Sequence, residues 1–575
     1  MCIFHASFLI QSKVYCMKRL PLPSFTVICT AFFILIFCSA AAQFFTEIIG
    51  RPTDSSISIN FLADQNTDVY WEYGFSSGAY PFSTGNFVAV KDTTLEADFT
   101  DLMPDHKYYY RTRYRVNGSS ASFTNGPEHT FHTSRIPGST FTFAIEADPH
   151  LDTNSIPAAY SLTLQNILVK NPDFLLDLGD IFMSEKFPPV TQQTITARHL
   201  LYRSYYGSVC HSVPLFIVIG NHEGENGWVL NGTADCLPVM AANTRKMYYP
   251  NPFPDGFYSG DTIAENFVGL RQNYYAWEWG NSLFIVLDPY WYTITKPEWG
   301  WTLGEDQYNW FKNVITTSHA KFKFIFCHQL VGGDGNDGRG GTEYSGFFEM
   351  GGKNVDSSWG FDTHRPGWGK TIHELMVESN ATIFFHGHDH CYAKQDMDGI
   401  VYQEVPQPSS RNITNITGTQ YGYVNGVLMP SRGYLLVTIT DSSAKVDYIR
   451  TFLPNEESAS HTNGEIAYSY TIASHPSAIE EKKDESSSFQ LSQNCPNPFN
   501  QETSINYKIL QAEKVQIKVY DLFGREISTL VDQYLQPGNY AVPLSSEKSS
   551  LRGGIYYYRI TCGNYSKSMK MICIK

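Results

Sequence analysis

Short runs of alternating apolar and polar residues dominate the chain after residue 43. Ser56–Phe61 and Val69–Tyr73 both place apolar side chains at every second position. That spacing is the period of a β-strand with one buried face. Because such runs recur without intervening helical periodicity, we expect a small β-sandwich over residues 43–136.

Residues 137–452 follow another pattern, in which wholly apolar runs alternate with helical stretches. Runs without a polar face predict strands that are buried on both sides, as in α/β proteins. Each run is followed by polar residues, and the ends of such strands are where α/β proteins place their chemistry. We therefore expect a central α/β domain here. The runs are Phe141–Ile145, Phe174–Leu176, Leu215–Ile219, Leu283–Leu287, Phe322–Phe326 and Thr382–Phe385.

The first residues have the order of an export signal. A basic segment, Met17–Arg19, precedes the apolar run Phe25–Phe37 and small residues that end at Ala42. That order predicts a cleaved signal peptide over residues 1–42 whose true start is Met17. A membrane anchor is the alternative, but the apolar run is short for a span of roughly 20 residues. We expect no stable membrane span in the mature protein.

The last part of the chain changes pattern twice. Residues 453–488 are polar and charged towards their end and predict a linker. Residues 489–575 then alternate again, with glycine at the turns, and predict a second small β-sandwich. The fold class expected is therefore multidomain, with a central α/β domain between two β-sandwiches.

Composition narrows the possible functions. The 575 residues are 42% hydrophobic and carry a formal net charge of -14, so the chain is globular and nucleic-acid binding is not expected. Phosphate substrates are not excluded, because bound metal cations can reverse a local field. If the protein is exported, Cys210 and Cys236 could pair as a disulfide.

Five short polar motifs occur at the ends of the predicted strands. Mixed histidine, carboxylate and amide donors suit a pair of divalent cations about 3.5–4 Å apart, which need a shared anionic ligand. Gly179 and Gly387 would allow the backbone to turn next to these ions. The motifs are Asp148-Pro149-His150, Gly179-Asp180, Gly220-Asn221-His222-Glu223, His328 and Gly387-His388-Asp389-His390.

This ordered set resembles the calcineurin-like metallophosphoesterase superfamily, whose fold is a four-layer α/β/β/α sandwich. The resemblance implies that Asp180 bridges two metal ions. It also implies Asp148, His150 and His390 as ligands of one ion, and Asn221, His328 and His388 as ligands of the other. The ions would be iron, zinc or manganese. They would lower the pKa of a bound water that attacks phosphorus.

The same resemblance assigns a role to His222, which would face the substrate and protonate the leaving oxygen. Glu223 is expected to support the ligands rather than to take part in catalysis. Purple acid phosphatases have an iron-binding tyrosine where this chain has Met183, and they lack His150. Other members place there an aspartate that orients the histidine, so what orients His222 is left open. Arg339 could clamp a phosphate or lie on a surface loop.

The flanking regions resemble two further families. The segment Leu102–Arg111 is similar to the tyrosine corner of fibronectin type III domains, with Tyr108 at the corner. Such a domain precedes the catalytic domain in purple-acid-phosphatase-like enzymes. The segments Asn494–Asn500, Val519–Arg525 and Gly553–Arg559 resemble the C-terminal sorting domain of type IX (Por) secretion. That resemblance implies export across both membranes, with the secretion machinery as a partner.

These features predict a secreted or surface-attached, metal-dependent phosphoesterase that acts on phosphate esters, most simply a phosphatase. A phosphodiesterase is one alternative. A non-catalytic surface adhesion protein on a metal-bound scaffold is the other, and the intact ligand set with His222 argues against it.

Overall fold

The computed structural model describes residues 45–474, 489–521, 525–549, 551–563 and 565–574. The predicted signal peptide at 1–42 lies outside the described residues. The first eight strands are β1 (Phe45–Gly50), β2 (Ile57–Ala63), β3 (Thr67–Gly74), β4 (Phe82–Ser83), β5 (Phe87–Ala89), β6 (Leu95–Phe99), β7 (Lys107–Val116) and β8 (Thr124–His132).

These strands form two layers, as the alternating pattern predicts. One layer has the order β4-β3-β7-β8, with β5 also paired to β3. The other contains β1, β2 and β6. Trp71 of β3 fills the space between the layers, 5.9 Å from the ring of Phe61 and 6.2 Å from that of Phe99. The hydroxyl of Tyr108 accepts a 2.7 Å hydrogen bond from the Met103 amide, which is the contact of a tyrosine corner.

The central part of the chain alternates strands with helices. Its strands are β9 (Phe141–Glu146), β10 (Phe174–Asp177), β11 (Leu215–Ile217), β12 (Ser259–Gly260), β13 (Ala264–Glu265), β14 (Gly269–Leu270), β15 (Tyr275–Trp279), β16 (Ser282–Val286), β17 (Phe322–Phe326), β18 (Ile383–His386), β19 (Tyr392–Met397), β20 (Ile400–Glu404), β21 (Val427–Met429), β22 (Gly433–Ile439), β23 (Ser443–Arg450) and β24 (Ile466–Ala473). Its helices are α1 (Pro157–Lys170), α2 (Gln192–Tyr206), α3 (Leu237–Tyr248), α4 (Glu305–Thr317), α5 (Phe348–Gly351), α6 (Phe361–His364) and α7 (Ile372–Glu378).

Two large mixed sheets face each other in this part. The nine-stranded sheet has the order β24-β23-β22-β9-β10-β11-β1-β2-β6, and the eight-stranded sheet has the order β12-β15-β16-β17-β18-β20-β19-β21. Aromatic rings fill the space between them: Phe284 lies 5.1 Å from Phe143 and 5.2 Å from Phe174. The apolar runs of the sequence are therefore the inner strands, buried on both faces as predicted.

Helices cover the outer faces of both sheets. Tyr308, Phe311 and Ile315 of α4 share one buried side, with the spacing of an amphipathic helix, and pack with α7 on the eight-stranded sheet. Helices α1 and α2 pack on the nine-stranded sheet. The four layers are helix, sheet, sheet and helix, so the expected fold class is confirmed.

Two features depart from the expected organisation. Strands β1, β2 and β6 of the N-terminal sandwich belong to the nine-stranded sheet, because β1 pairs with β11 at Gly50 and Leu215. Strand β24, in the segment expected to be a linker, pairs antiparallel with β23. Exposed and half-buried residues alternate along Ile466–Ala473, which suits a strand at the edge of a sheet with one face exposed to solvent. The other domain boundaries stay predictions.

The C-terminal part forms its own pair of sheets, with orders β25-β26-β29 and β28-β27-β30-β31. Ile505, Ile517 and Tyr558 are buried in its core. The strands are β25 (Phe489–Leu491), β26 (Glu502–Ile509), β27 (Glu513–Tyr520), β28 (Glu526–Leu535), β29 (Gly538–Ser545), β30 (Gly554–Cys562) and β31 (Tyr565–Cys573).

The possible disulfide between Cys210 and Cys236 is not formed. Both thiols are free and buried, and each packs in a different apolar cluster. They act as small apolar side chains, which is a common role of buried cysteine. Within the described residues, no helix has the length and apolar character that a membrane crossing requires.

Candidate metal centre

The five polar motifs all follow strands of the two facing sheets. Strands β9, β10 and β11 are parallel neighbours in one sheet, and β17 and β18 are parallel neighbours in the other. The ends of parallel neighbours lie at one edge of a sheet, so the motifs meet at the same end of the domain. The residues that follow these five strands are Asp148, Asp180, Asn221, His328 and His388.

Six predicted ligands come together in two groups that share one carboxylate. Within each group the candidate ligand atoms lie within 4.8 Å of one another. Asp180 is common to both groups, which is the geometry a bridging ligand needs. The first group is Asp148, His150, Asp180 and His390, and the second is Asp180, His328 and His388.

Each of the two aspartates uses one oxygen for structure and leaves the other for the cluster. Asp148 Oδ2 accepts a 2.9 Å hydrogen bond from the His388 amide, and Asp180 Oδ1 accepts one of 2.8 Å from the His222 amide. Asp148 Oδ1 and Asp180 Oδ2 are buried with no hydrogen-bond partner among the described residues. Buried oxygens without partners are costly, so their presence fits a bound cation.

Two histidines are held by their outer nitrogens. His328 Nδ1 lies 2.8 Å from the Leu178 carbonyl oxygen, and His388 Nε2 lies 2.9 Å from that of Asp337. A carbonyl only accepts, so these nitrogens carry the protons. The opposite nitrogens, 3.3 Å apart, are left as lone-pair donors, as in ligating histidines elsewhere.

The field of the two carboxylates is strong enough to hold cations. With no metal ion bound, burial alone would lower the pKa of His328, but Asp180 and Asp148 raise the pKa to about 9. A metal ion that binds Nε2 would displace that proton. Burial alone would raise the pKa of Asp148. The facing imidazoles outweigh that effect and hold the pKa well below its usual range. Burial, and after it the positive charge of Arg339 and of His328 while it is protonated, lower the pKa of His388, which keeps it neutral, as a ligand must be.

The backbone of the motifs is unusual in a way that suits a functional site. Five predicted ligands adopt left-handed backbone angles, a conformation that costs energy for side chains other than glycine. Position 387 requires glycine because the backbone there passes close to Asp148: a Cβ would lie 2.7 Å from Asp148 Oδ2. Gly179 is needed for its φ of 100°. The five are Asp148, His150, Asp180, His388 and His390.

Asn221 and Glu223 lie in the loop that follows β11. Asn221 Oδ1 is buried without a hydrogen-bond partner among the described residues, like the two carboxylate oxygens. Glu223 accepts hydrogen bonds from the amides of Gly220 at 2.5 Å, Asp180 at 2.9 Å and Ile181 at 2.6 Å. It therefore joins two of the motif loops, which agrees with the supporting role expected for it.

His222 has a partner that the sequence reasoning missed. Its Nδ1 is hydrogen bonded to the Glu185 carboxylate, and its Nε2 lies 3.7 Å from Asp180 Oδ2. Met183, at the position expected to orient the histidine, is buried instead. The sequence does contain an acidic residue, Glu185, two positions after Met183 in the same loop. Nothing in the sequence distinguishes it from a surface glutamate, and only the structure shows its contact with His222.

A small cavity of about 210 Å³ opens onto the cluster. Arg339 lines it, but its guanidinium is held by Asp389 Oδ1 at 2.9 Å and the His388 carbonyl at 3.0 Å. Lys186 and Gln407 line it too. A larger cleft of about 500 Å³ lies on the N-terminal sandwich and contains none of the motif residues. The smaller cavity is therefore the one relevant to the cluster.

Two family models match the chain. Residues 141–392 match calcineurin-like phosphoesterase, and residues 495–575 match the secretion system C-terminal sorting domain. The central part of the chain is thus a calcineurin-like metallophosphoesterase domain, which makes the protein a phosphoester hydrolase. The last part is a sorting domain. Both resemblances expected from the motifs are confirmed.

Solved structures are similar mainly in fold. The structure of PhoD has 16% sequence identity and a TM-score of 0.54, covering 75% of this chain and 90% of that one. Purple acid phosphatase PPD1 from seeds of yellow lupin (Lupinus luteus) has 13% identity and a TM-score of 0.49, covering 74% of each chain. No curated protein sequence matches significantly.

Proposed function

We propose that this protein is an exported phosphatase that hydrolyses phosphate monoesters at a centre of two metal ions. The observation that carries the proposal is the position of Asp180 in both ligand groups. The unpartnered oxygens of Asp148, Asp180 and Asn221 support it further. When bound, the two ions would neutralise charge on the phosphoryl oxygens and activate water. The proposed ligands are Asp148, His150, Asp180, Asn221, His328, His388 and His390.

The chain itself supplies the proton for the departing alcohol. His222 lines the cavity, and its Nδ1 is held by Glu185. A carboxylate can only accept here, so Nδ1 keeps its proton and Nε2 is the atom that can face a leaving oxygen. A proton donated at that atom makes an alcohol a better leaving group. Arg339 is the proposed cation for a phosphoryl oxygen, through the guanidinium nitrogens that Asp389 does not use.

The test is hydrolysis of p-nitrophenyl phosphate and of bis(p-nitrophenyl) phosphate by purified protein loaded separately with iron, zinc or manganese. We expect turnover of the monoester, a lower kcat/KM for the diester, and loss of both in Asp180→Ala. A higher kcat/KM for the diester would make the protein a phosphodiesterase. Absence of turnover with two metal ions bound per chain would favour the adhesion alternative.

We also infer that the protein acts outside the cell. The sorting-domain match at residues 495–575 supports secretion, and the order of segments in residues 1–42 supports an export signal. Type IX secretion machinery is the proposed partner. Fractionation of the native culture should recover phosphatase activity in the medium or on the cell surface. Activity found only in the cytoplasm would contradict the inference.

A further inference from the structure

The cleft of about 500 Å³ on the N-terminal sandwich has the size and the lining of a small-molecule site. It is lined by residues of β4 and β6, the edge strands of the two layers, and of the loops that follow them. Six of its thirteen lining residues are aromatic, and a few polar groups lie among them. The cleft contains none of the proposed metal ligands, so it is a site separate from the metal centre.

Apolar side chains in this cleft are exposed to an unusual degree. Phe75 is 40% exposed and Phe82 is 43% exposed, although phenylalanine is usually buried. Met103, which is 49% exposed, belongs to the same lining. Exposed apolar side chains that cluster in a cleft, rather than being scattered singly, are typical of a binding site.

The exposed rings form a corner rather than a flat platform. The centroids of the Phe75 and Phe82 rings are 5.7 Å apart and their planes stand at 85°, and the Tyr73 ring lies 5.6 Å from that of Phe82. Tyr73 is stacked on the buried Phe99 at 5.2 Å. Phe75 packs on Tyr108 at 4.9 Å, so the core of the sandwich holds the corner in place. A sugar ring stacks on one aromatic face, whereas a compact cation can contact two faces that meet at an angle.

The charge at the cleft is negative. Its lining contains two carboxylates, Asp98 and Asp101, and none of its residues is lysine, arginine or histidine. Arg51 pairs with Asp98 at 3.3 Å and with Glu96 at 3.1 Å. Asp101 Oδ2 accepts a 3.4 Å hydrogen bond from Thr100 Oγ1 and forms no ion pair within the described part of the chain. Three carboxylates and one guanidinium leave the cleft negative, so it repels anions such as phosphate esters and attracts cations.

We propose that this cleft binds small organic cations, with the exposed aromatic faces against the apolar part of the ligand and Asp101 as the counter-charge. The class that fits is an alkylated ammonium group, because its apolar surface and diffuse positive charge both suit aromatic faces. A ligand bound there would cover Phe75 and Phe82 and neutralise a carboxylate that has no ion pair. Because the cleft contains no proposed metal ligand, binding requires neither the metal ions nor hydrolysis of a phosphate ester.

The test is isothermal titration calorimetry of the metal-loaded protein with choline and with 3,3-dimethylbutan-1-ol, which has the same shape without the charge. We expect one choline to bind per chain, and the neutral alcohol to bind about tenfold more weakly. Equal affinities for the two compounds, tighter binding of a neutral sugar such as glucose, or no binding of choline would overturn the proposal.

Two variants separate the aromatic face from the charge. Phe82→Leu keeps an apolar side chain without a ring, and Asp101→Asn keeps the shape without the charge. Each should weaken choline binding about fivefold and leave binding of the neutral alcohol unchanged. The matched controls are Phe267→Leu and Asp64→Asn, which change exposed residues outside the cleft and should bind choline as the unmodified protein does.

Hydrolysis of p-nitrophenyl phosphate should be equal in all four variants, which checks that each is folded. Unchanged choline affinity in both Phe82→Leu and Asp101→Asn would overturn the proposal. If a cleft variant does not fold, the comparison of choline with the neutral alcohol on the unmodified protein decides alone: a clear preference for choline supports the proposal, and equal binding overturns it.

Discussion

Glu185 gives the sharpest test of how His222 works, because it contacts the histidine and none of the proposed ligands. Its carboxylate holds Nδ1, and the two side chains are 26% and 15% exposed, so solvent screens the contact only in part. Replacing Glu185 should leave both metal ions in place. It should release the imidazole from the orientation in which Nε2 faces the leaving group.

The magnitude follows from the kind of hydrogen bond lost. A bond to a charged group contributes about 1.5–3 kcal/mol and a neutral one about 0.5–1.5 kcal/mol. Glu185→Gln keeps an acceptor but loses the charge, a difference of about 1–1.5 kcal/mol, or roughly 5- to 10-fold in rate at 1.36 kcal/mol per tenfold. Glu185→Ala loses the whole interaction, which predicts a decrease in kcat of about 10- to 100-fold.

The assay compares kcat for an alkyl phosphate and for p-nitrophenyl phosphate. Nitrophenolate leaves without a proton, so the losses above apply to the alkyl ester and should nearly vanish for the aryl ester, with KM little changed in both. Glu305→Gln is a suitable control, since Glu305 is exposed at the start of α4. Equal losses on the two esters, or metal content that falls with the substitution, would show that Glu185 does not act through His222.

Four further outcomes are expected. Elemental analysis should find two metal ions per chain, and fewer than one in Asp180→Ala, because both ligand groups share that carboxylate. His222→Ala should keep both ions yet lose roughly 10²–10⁴ in kcat on alkyl phosphates, and lost metal would make His222 a ligand instead. Removing the metal ions with a chelator should lower the Tm measured by circular dichroism, because the buried oxygens of Asp148 and Asp180 would then have no partner. An unchanged Tm would argue against bound metal. Mass spectrometry of the mature protein from native culture medium should find a start near Gln43 and no peptide containing Met571.

The edge at which the five motifs meet could be anticipated from the sequence because each motif follows a strand end, whereas the choice of ligands among them came from the family resemblance. Wholly apolar runs specify buried strands, and parallel neighbours bring the residues that follow them to one edge. Asp148 and Asp180 follow β9 and β10, which pair in register from Phe174 with Phe143 onward. The regular geometry of paired strands thus allows the place of the site to be predicted from the sequence pattern.

Glu185 and Gln407 could not be anticipated in the same way. Glu185 meets a histidine 37 positions away, and Gln407 meets the cavity through a segment between two prolines. Both lie outside regular elements, where no periodicity tells which way a side chain points. The sequence also gave no sign that β1 and β2 share a sheet with the central strands. A single pairing, between Gly50 and Leu215, joins them, and no periodicity marks it.

The arrangement of hydrogen bonds explains how strained loops can hold a site of this kind. Asp148 binds the His388 amide across 240 positions, and Asp180 binds the His222 amide across 42. The backbone of another motif thus fixes the orientation of each of these two carboxylates. In three of the loops, the residues with left-handed backbone angles are themselves proposed ligands. Energy stored in those angles is offset by hydrogen bonds between motifs rather than within them. A substitution in one motif should therefore disturb ligands of another: a Cβ at Gly179 would lie 2.5 Å from the Gly220 amide nitrogen, and a Cβ at Gly387 would lie 2.7 Å from Asp148 Oδ2.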